Sequence, residues 1–312
     1  EKASNYEFVK GDICQVEEIQ NVFENFKVTD VIHLAAESHV DRSISGPMDF
    51  VLSNVVGTVN LMNVARSFWD EFKSHIFYHI STDEVYGSLG DKGLFKETTA
   101  YDPRSPYSAS KASSDHFVRA YHHTYGFPIK MSNCSNNYGS YQFPEKLIPL
   151  MINNAVKGKD LPIYGDGLNI RDWLWVEDHA NAIDTIFHEG KIGETYNIGG
   201  LNEWTNIDIV KLVCSLVDAA FEKDPQLAKR FPKAPQGKAL HAESLITYVK
   251  DRLGHDRRYA IDPTKCNTEL GYKPKESFET GIRKTINWIL AYESWWRAVV
   301  DGSYKDWINT NY

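Results

Sequence analysis

Cysteine is scarce in this chain: among 312 residues only Cys14, Cys134, Cys214 and Cys266 carry thiols, and no two of them form a Cys-x-x-Cys pair. Neither a disulfide framework nor a zinc or other metal site is expected from that spacing. With no signal-peptide pattern at the front, the expected compartment is the reducing cytoplasm. Positive charge is also in deficit, with 34 Lys and Arg against 42 Asp and Glu for a formal net charge of −8. A nucleic-acid partner is therefore not expected, since no basic stripe is available to displace counterions from phosphates. Long apolar runs are missing as well. Stretches such as Val31 to Ala36 fall far short of the roughly 20 residues that a membrane-spanning helix needs, so no membrane partner is expected.

Glycine is missing where a dinucleotide fold most needs it. Such a fold opens with a strand, a Gly-rich turn and a helix whose N-terminus holds the pyrophosphate. Here the only glycine before Gly46 is Gly11. The first residues lead into what reads as a third strand, and in the 3-2-1-4-5-6 order the first strand lies between that one and the next. We therefore expect a first β-α-β unit, roughly 30 residues or more, ahead of Glu1.

What is present alternates. Short β-rich runs at Tyr6 to Val9, Val31 to Ala35, Ile76 to Ser81 and Ile129 to Ser132 are separated by helical patterns, among them Val55 to Phe68 and Ser108 to Tyr125. That alternation predicts an α/β fold built on a Rossmann-like, doubly wound parallel sheet. Ligands on such a sheet sit at the carboxyl ends of its strands. Three groups fall there: Ala35-Ala36-Glu37-Ser38, Ser81-Thr82-Asp83-Glu84 and Cys134-Ser135-Asn136-Asn137. From Tyr138 the texture turns to Pro- and Gly-punctuated segments, with a return to strand and helix at Trp173 to Phe187 and a strand at Thr195 to Ile198. The predicted division is 1–140 plus 168–198 for a dinucleotide-binding domain, and 141–167 plus 199–312 for a smaller C-terminal substrate-binding lobe. Asp224 to Lys238 lacks periodicity and reads as a surface insertion.

Tyr107 and Lys111 stand four apart at the start of a helix, which puts them on one face. An ammonium beside a phenol favours phenolate and yields a base usable near neutral pH. The same spacing occurs on many solvated helices, so the pair takes its meaning from context. That context is Ile80-Ser81-Thr82-Asp83-Glu84, an apolar strand ending in a hydroxyl and two adjacent carboxyl groups. A bare Asp-Glu more commonly decorates a turn. After a buried strand, two carboxyls tend to titrate apart, one protonated and one ionised. Dehydration chemistry needs that combination.

With these residues in place, the chain resembles the nucleotide-sugar 4,6-dehydratases of the extended short-chain dehydrogenase/reductase family, and in particular the branch acting on dTDP-glucose. Thr82-Asp83-Glu84 is similar to that family's catalytic trio, where related epimerases and decarboxylases usually differ at the two acid positions. The likeness extends through His33 to Asp41, Tyr107 to Ala112, Asn136 to Gly139, Gln142 to Pro149, Gly165-Asp166-Gly167, Arg171-Asp172-Trp173 and Gly254 to Asp262. It implies NAD as cofactor, contacted by Asp12, Ile13, Leu34, Ala35, Ala36, Glu37, Ser53, Tyr107, Lys111 and Asn137. It also implies substrate contacts from Ser38, Thr82, Asp83, Glu84, Asn136, Lys146, Leu147, Pro162, Ile163, Tyr164, Arg171, Asn206, Asp251, Arg252, Leu253, Gly254 and His255. Arg171 and Arg252 would offer forks to phosphate oxygens and Tyr164 a face for a base. The catalytic set implied is Thr82, Asp83, Glu84, Tyr107 and Lys111, and the partner a second copy paired through the helices after Val55 and Ser108.

The reaction implied is dehydration of dTDP-glucose to dTDP-4-dehydro-6-deoxyglucose. Another nucleotide-sugar dehydratase, CDP- or GDP-linked, is the alternative within enzymes. A non-catalytic sugar-nucleotide-binding relative is the alternative outside them, and the complete set of Asp83, Glu84, Tyr107 and Lys111 argues against it. Ser140 and Leu253 stand where the family usually has proline, and Asn133 replaces a common arginine, which puts a local hydrogen bond in doubt. Trp288, Trp295 and Trp296 are expected to pack the C-terminal helix. Because the pyrophosphate would lack its helix N-terminus, these 312 residues alone should bind NAD poorly. Calorimetric titration checks this, and tight binding would contradict it.

Overall fold

A strand with apolar side chains on both faces needs cover on both, and the central strands of this protein receive it. The computed structural model describes residues 4–300. Nine strands lie among the described residues: β1 (Asp30–His33), β2 (Ile76–Thr82), β3 (Ile129–Cys134), β4 (Asn136–Tyr138), β5 (Leu161–Tyr164), β6 (Ile170–Trp175), β7 (Thr195–Ile198), β8 (Glu203–Thr205) and β9 (Ile246–Val249). The main sheet is parallel throughout, in the order β1-β2-β3-β7. Its register pairs Phe77 with Ile129 and Thr82 with Cys134, so β2 and β3 end level with one another.

Alternation along β2 assigns its two faces. Phe77 joins Ile19, Phe23, Met62, Val118 and Met131 in a core formed with α1 (Val16–Phe26), α2 (Gly57–Phe68) and α3 (Pro106–Tyr125). Tyr78 and Ile80 point the other way, into a core with Ala182, Ile186, Tyr196 and Ile198. After α4 (Leu147–Lys157) in the chain, α5 (Val176–Glu189) supplies that second cover. The remaining strands build the second lobe, with β4 parallel to β6, β6 antiparallel to β8, and β5 parallel to β9; β4 and β6 thus pair outside the main sheet, although both fall in the stretches expected for the dinucleotide-binding domain. They pack with α4, α6 (Asn206–Lys223) and α7 (Phe278–Ala291) around Ile148, Met151, Trp173, Val213, Phe278 and Ile282. Trp296 is buried in this core and donates to the Ile289 carbonyl, while Trp288 and Trp295 pack against Tyr141.

Two expectations are corrected. Tyr6 to Val9 is not a strand: Tyr6, Phe8 and Val9 are exposed, and an extended segment becomes a strand only when a neighbour satisfies its backbone groups. Asp224 to Lys238 is not a surface insertion. It holds a short helix, Gln226–Arg230, and a turn, Pro235–Lys238, and sends Leu227, Phe231 and Ala234 into the second lobe's core. One-turn pieces are too short to show helical periodicity in sequence.

Phe278 is fully buried, with its ring against those of Tyr138, Trp173 and Trp204. Phe278→Ala should therefore lose about 3–5 kcal/mol of stability in denaturant unfolding. A loss under about 1 kcal/mol would mean the site collapses freely and is not a close-packed centre.

Candidate active site

The site grows from the turn that follows β2. Thr82 ends the strand, and its hydroxyl accepts the Glu84 N–H at 3.3 Å while lying 3.3 Å from the Asp83 carboxylate. Gly87 reverses the chain with φ of +88°, and a Cβ there would fall 2.5 Å from the Asp102 carbonyl, so only glycine fits. The reversal buries Asp83, which is 2% exposed, and leaves its Oδ2 without a partner. Burial, helped by the charges of Glu84 and Asp172, holds the Asp83 carboxyl well above the usual range. Glu84 is half-buried and also raised by burial, but Arg171, Lys146 and Arg252 all pull it back. Three separate segments of the second lobe therefore converge on one carboxylate.

The phenol and the ammonium come from α3. Ser105 caps this helix in a capping box with Ser108, Pro106 occupies its first turn, and Gly126 ends it in the left-handed conformation. That fixes Tyr107 and Lys111 one turn apart on the buried face. Lys111 Nζ donates to the Ile80 carbonyl at 2.8 Å. The expected depression of the Tyr107 phenol is not found. Burial, with Glu84 and Cys134 nearby, pushes it well above the ordinary phenol value. Lys111 is itself held below the ordinary amine value by burial, and its donor is committed to Ile80.

At the end of β1, Leu34 and Ala35 are exposed, and Ala36 and Glu37 half-buried. Asn54 clips Glu37 there, accepting from its N–H at 2.8 Å and donating to its carbonyl at 3.0 Å. Asn54 and Ser53 lie in a π-helical segment, Val51–Val56, which widens the helix where it meets the strand end. Asp12 is exposed, and Ile13 packs on Gly57 so closely that a Cβ there would lie 2.6 Å from it. Beyond β3, Asn136 Oδ1 is buried without a partner, and Asn137 donates to the Ser135 carbonyl at 3.1 Å and pairs with His179 at 2.8 Å. Asn133, which stands in place of the family's common arginine, donates to the Tyr86 hydroxyl at 2.7 Å.

The second lobe reaches over this floor. Lys146 donates to the Ser38 carbonyl at 2.8 Å, and Arg252 pairs with Asp41 at 2.9 Å while covering the Tyr164 ring at 5.2 Å. His255 bonds Asp251 at 2.7 Å and meets the Tyr164 ring edge-on. Arg171 donates to the Asp256 carbonyl at 3.0 Å and lies over Tyr259 at 4.2 Å. Pro162 and Ile163 lie in β5, Leu147 opens α4, Asn206 opens α6 with its Oδ1 unpartnered, and Leu253 and Gly254 are exposed. Sequence reading missed Asn54, which lay inside a helical pattern. It also missed Asp172, which accepts from Ser135 at 2.5 Å and from Gly200 N–H at 2.9 Å. The latter was within reach, as the neighbour of Arg171 in a motif already singled out.

Comparison with known proteins places this arrangement among relatives. Residues 1–285 match the family described as GDP-mannose 4,6 dehydratase. The chain is 53% identical to a dTDP-glucose 4,6-dehydratase of Salmonella typhimurium over 100% of its length and 86% of the relative. Among solved structures it is similar to the dTDP-glucose 4,6-dehydratase of Bacillus anthracis in complex with NAD. That match has TM-score 0.79 and 43% identity, and covers 95% of this chain and 83% of that one. It is also similar to DesIV of Streptomyces venezuelae, a dTDP-glucose 4,6-dehydratase with NAD and TYD bound, at TM-score 0.83 and 39% identity over the same shares.

The raised Asp83 carboxyl has a stability consequence. Its folded value lies above its unfolded one, so the folded state binds the extra proton and loses stability as pH rises from the unfolded value toward the folded one. Asp83→Asn removes that loss without changing shape. Its melting temperature should therefore gain on the unmutated protein between pH 4 and pH 8, roughly the window in which a free aspartate is ionised. A difference constant across that range, followed by thermal unfolding, would show that Asp83 is ionised in the fold.

Proposed function

This chain belongs to the GDP-mannose 4,6 dehydratase family and, within it, to the dTDP-glucose 4,6-dehydratases, and from that premise we propose how its own residues divide the work. The reaction is NAD-dependent loss of water from dTDP-glucose, giving dTDP-4-dehydro-6-deoxyglucose. The observation that carries the division is the Thr82-Asp83-Glu84 turn, where two adjacent carboxyls are both held up by burial and only Glu84 faces three opposing cations. When the first proton leaves such a pair, it leaves Glu84.

The exposed Leu34 and Ala35 at the end of β1, the clipped Glu37 and the orphaned Asn136 Oδ1 fit a dinucleotide lying across the strand ends. Leu34, Ala35, Ala36, Glu37, Ser53, Tyr107, Lys111 and Asn137 would hold it there, with Asp12 and Ile13 toward its adenine end. The chemistry NAD supplies when bound is removal of hydride from C4 and its return at C6. Tyr107 takes the proton of the 4-hydroxyl; for this its phenol has to fall from the high value that burial imposes, which the ammonium of Lys111 favours. Thr82 holds the 4-oxygen as charge develops on it. The 4-ketone acidifies C5. Glu84, ionised, removes that proton, Asp83, protonated, gives its own to the departing 6-hydroxyl, and the proton held on Glu84 returns to C5 when C6 is reduced.

Lys146, Arg171 and Arg252 are assigned to the diphosphate, and Tyr164, Asn206 and His255 to the nucleoside end. Ser38, Asn136, Leu147, Pro162, Ile163, Asp251, Leu253 and Gly254 complete the lining. We place the enzyme in the cytoplasm, a reading supported by four free thiols, two of them fully buried. Among the described residues no helix is long and apolar enough to cross a membrane. A homodimer is proposed on the outer faces of α2 and α3, where Phe68, Phe117 and Tyr125 are exposed, and no nucleic-acid partner is proposed.

In NAD-loaded enzyme, Glu84→Gln should still take up the 4-hydroxyl proton, so absorbance of reduced cofactor appears with substrate, and exchange of the C5 proton with heavy water should slow by roughly 10²- to 10⁴-fold. Asp83→Asn should keep that exchange and lose elimination. Mass spectrometry of recovered sugar distinguishes them: fast C5 labelling in Glu84→Gln would mean that the base is another residue.

A further inference from the structure

Behind the proposed catalytic groups lies a buried carboxylate that no step above uses. Asp115 is fully buried one turn beyond Lys111, so Tyr107, Lys111 and Asp115 follow one another on a single face of α3. It accepts from Ser81 Oγ at 2.8 Å, from the Tyr101 hydroxyl at 2.8 Å and from His79 Nε2 at 3.0 Å. His79 and Ser81 flank Ile80 on β2, and the Ile80 carbonyl between them receives Lys111. Helix and strand are thus laced at three consecutive strand residues, and both charged side chains of the helix take part.

The charge balance of this cluster points in one direction. His79 is fully buried, its Nδ1 has no partner, and burial with Lys111 nearby holds it below the ordinary imidazole value. It is a neutral ring donating from Nε2, because an orphaned ring acceptor costs less than an orphaned N–H in an imidazolium. Ser81 and Tyr101 are also neutral donors. None of the three direct partners cancels the negative charge of Asp115. The cations near it are Lys111 and Arg119, and Arg119 Nη2 is engaged with the Tyr101 hydroxyl at 2.8 Å. Among the described residues Lys111 has no carboxylate in salt-bridge contact, only a carbonyl. A buried ammonium in that position loses its proton easily unless a fixed negative charge stands near.

We infer that Asp115 is the counter-charge and positioning residue of Lys111, and that His79 and Ser81 hold it in place and ionised. The inference deepens the function proposed above and rests on its use of Lys111 beside Tyr107. The titratable groups around Lys111 are Tyr107 and Asp115 on its own helix, His79 from β2, Cys134 from β3 and His33 from β1. Asp115 is the one carboxylate in that set. Removing its charge takes away the larger of the two influences that oppose burial, the other being Cys134, so Lys111 gives up its proton at lower pH and the phenol of Tyr107 loses its support.

The direct test follows the Lys111 ammonium by NMR in protein labelled at lysine Cε, with the resonance assigned by its loss in Lys111→Met. In Asp115→Asn the titration of Lys111 should move to lower pH by roughly one unit or more, and Asp115→Glu should restore most of it. In the NAD-loaded enzyme the alkaline limb of C4 oxidation, measured in a single turnover, should move down by a similar amount. The rate at neutral pH should fall about tenfold or more with KM changed by less than about threefold. If Asp115→Asn does not fold, Asp115→Leu with His79→Phe removes charge and partner together, a change buried pairs tolerate better, and the same shift is expected. An unmoved Lys111 titration in a folded variant overturns the inference. A moved titration with an unmoved rate profile supports the pairing and overturns the role given to Lys111 in the reaction.

Discussion

The contact on which the site depends is that between β2 and α3. β2 presents alternate faces, and the face carrying Phe77, His79 and Ser81 meets the helix that carries Tyr107, Lys111 and Asp115. Hydrogen bonds at His79, Ile80 and Ser81 leave the helix one register along the strand, since a shift of one residue would turn Tyr78 and Ile80 toward Asp115 instead. Thr82 and the turn after it then fall beside Tyr107.

From this contact the electrostatics follow. The turn buries Asp83 where water cannot solvate a charge, and Asp172, whose own oxygens are taken by Ser135, Gly200 and Asn202, adds repulsion. Glu84, the next residue of the turn, lies within the influence of Arg171, Lys146 and Arg252. Neighbouring carboxyls thereby acquire different environments, which is how one site holds an acid and a base at one pH. The second lobe contributes the cations as well as the walls. In this structure Arg252 rests on Asp41 and Lys146 on the Ser38 carbonyl, so both bridge the two lobes.

Much of this was legible in the sequence, for physical reasons that differ from place to place. β2, β3 and α3 read clearly because buried parallel strands are continuous apolar runs and a long amphipathic helix repeats its period several times. The positions of Thr82, Asp83 and Glu84 followed from the rule that ligands gather at strand ends. Tyr6 to Val9 misled because strand propensity says nothing about whether a neighbour exists. Asp224 to Lys238 misled because its helical pieces are single turns. The state of Tyr107 was misjudged because helical spacing reports which residues share a face and not where a flexible lysine sends its ammonium; here it goes to Ile80. Asn54 and Asp115 were invisible, since a polar residue inside a helix looks the same in sequence whether it faces water or a buried backbone.

The central claim is that two adjacent carboxyls hold opposite protonation states in one fold. Isotope-edited infrared spectroscopy with labelled aspartate tests it without turnover. A protonated carboxyl band that persists at neutral pH and vanishes in Asp83→Asn is the predicted result. A spectrum at neutral pH with only ionised aspartate, unchanged by that substitution, would contradict it.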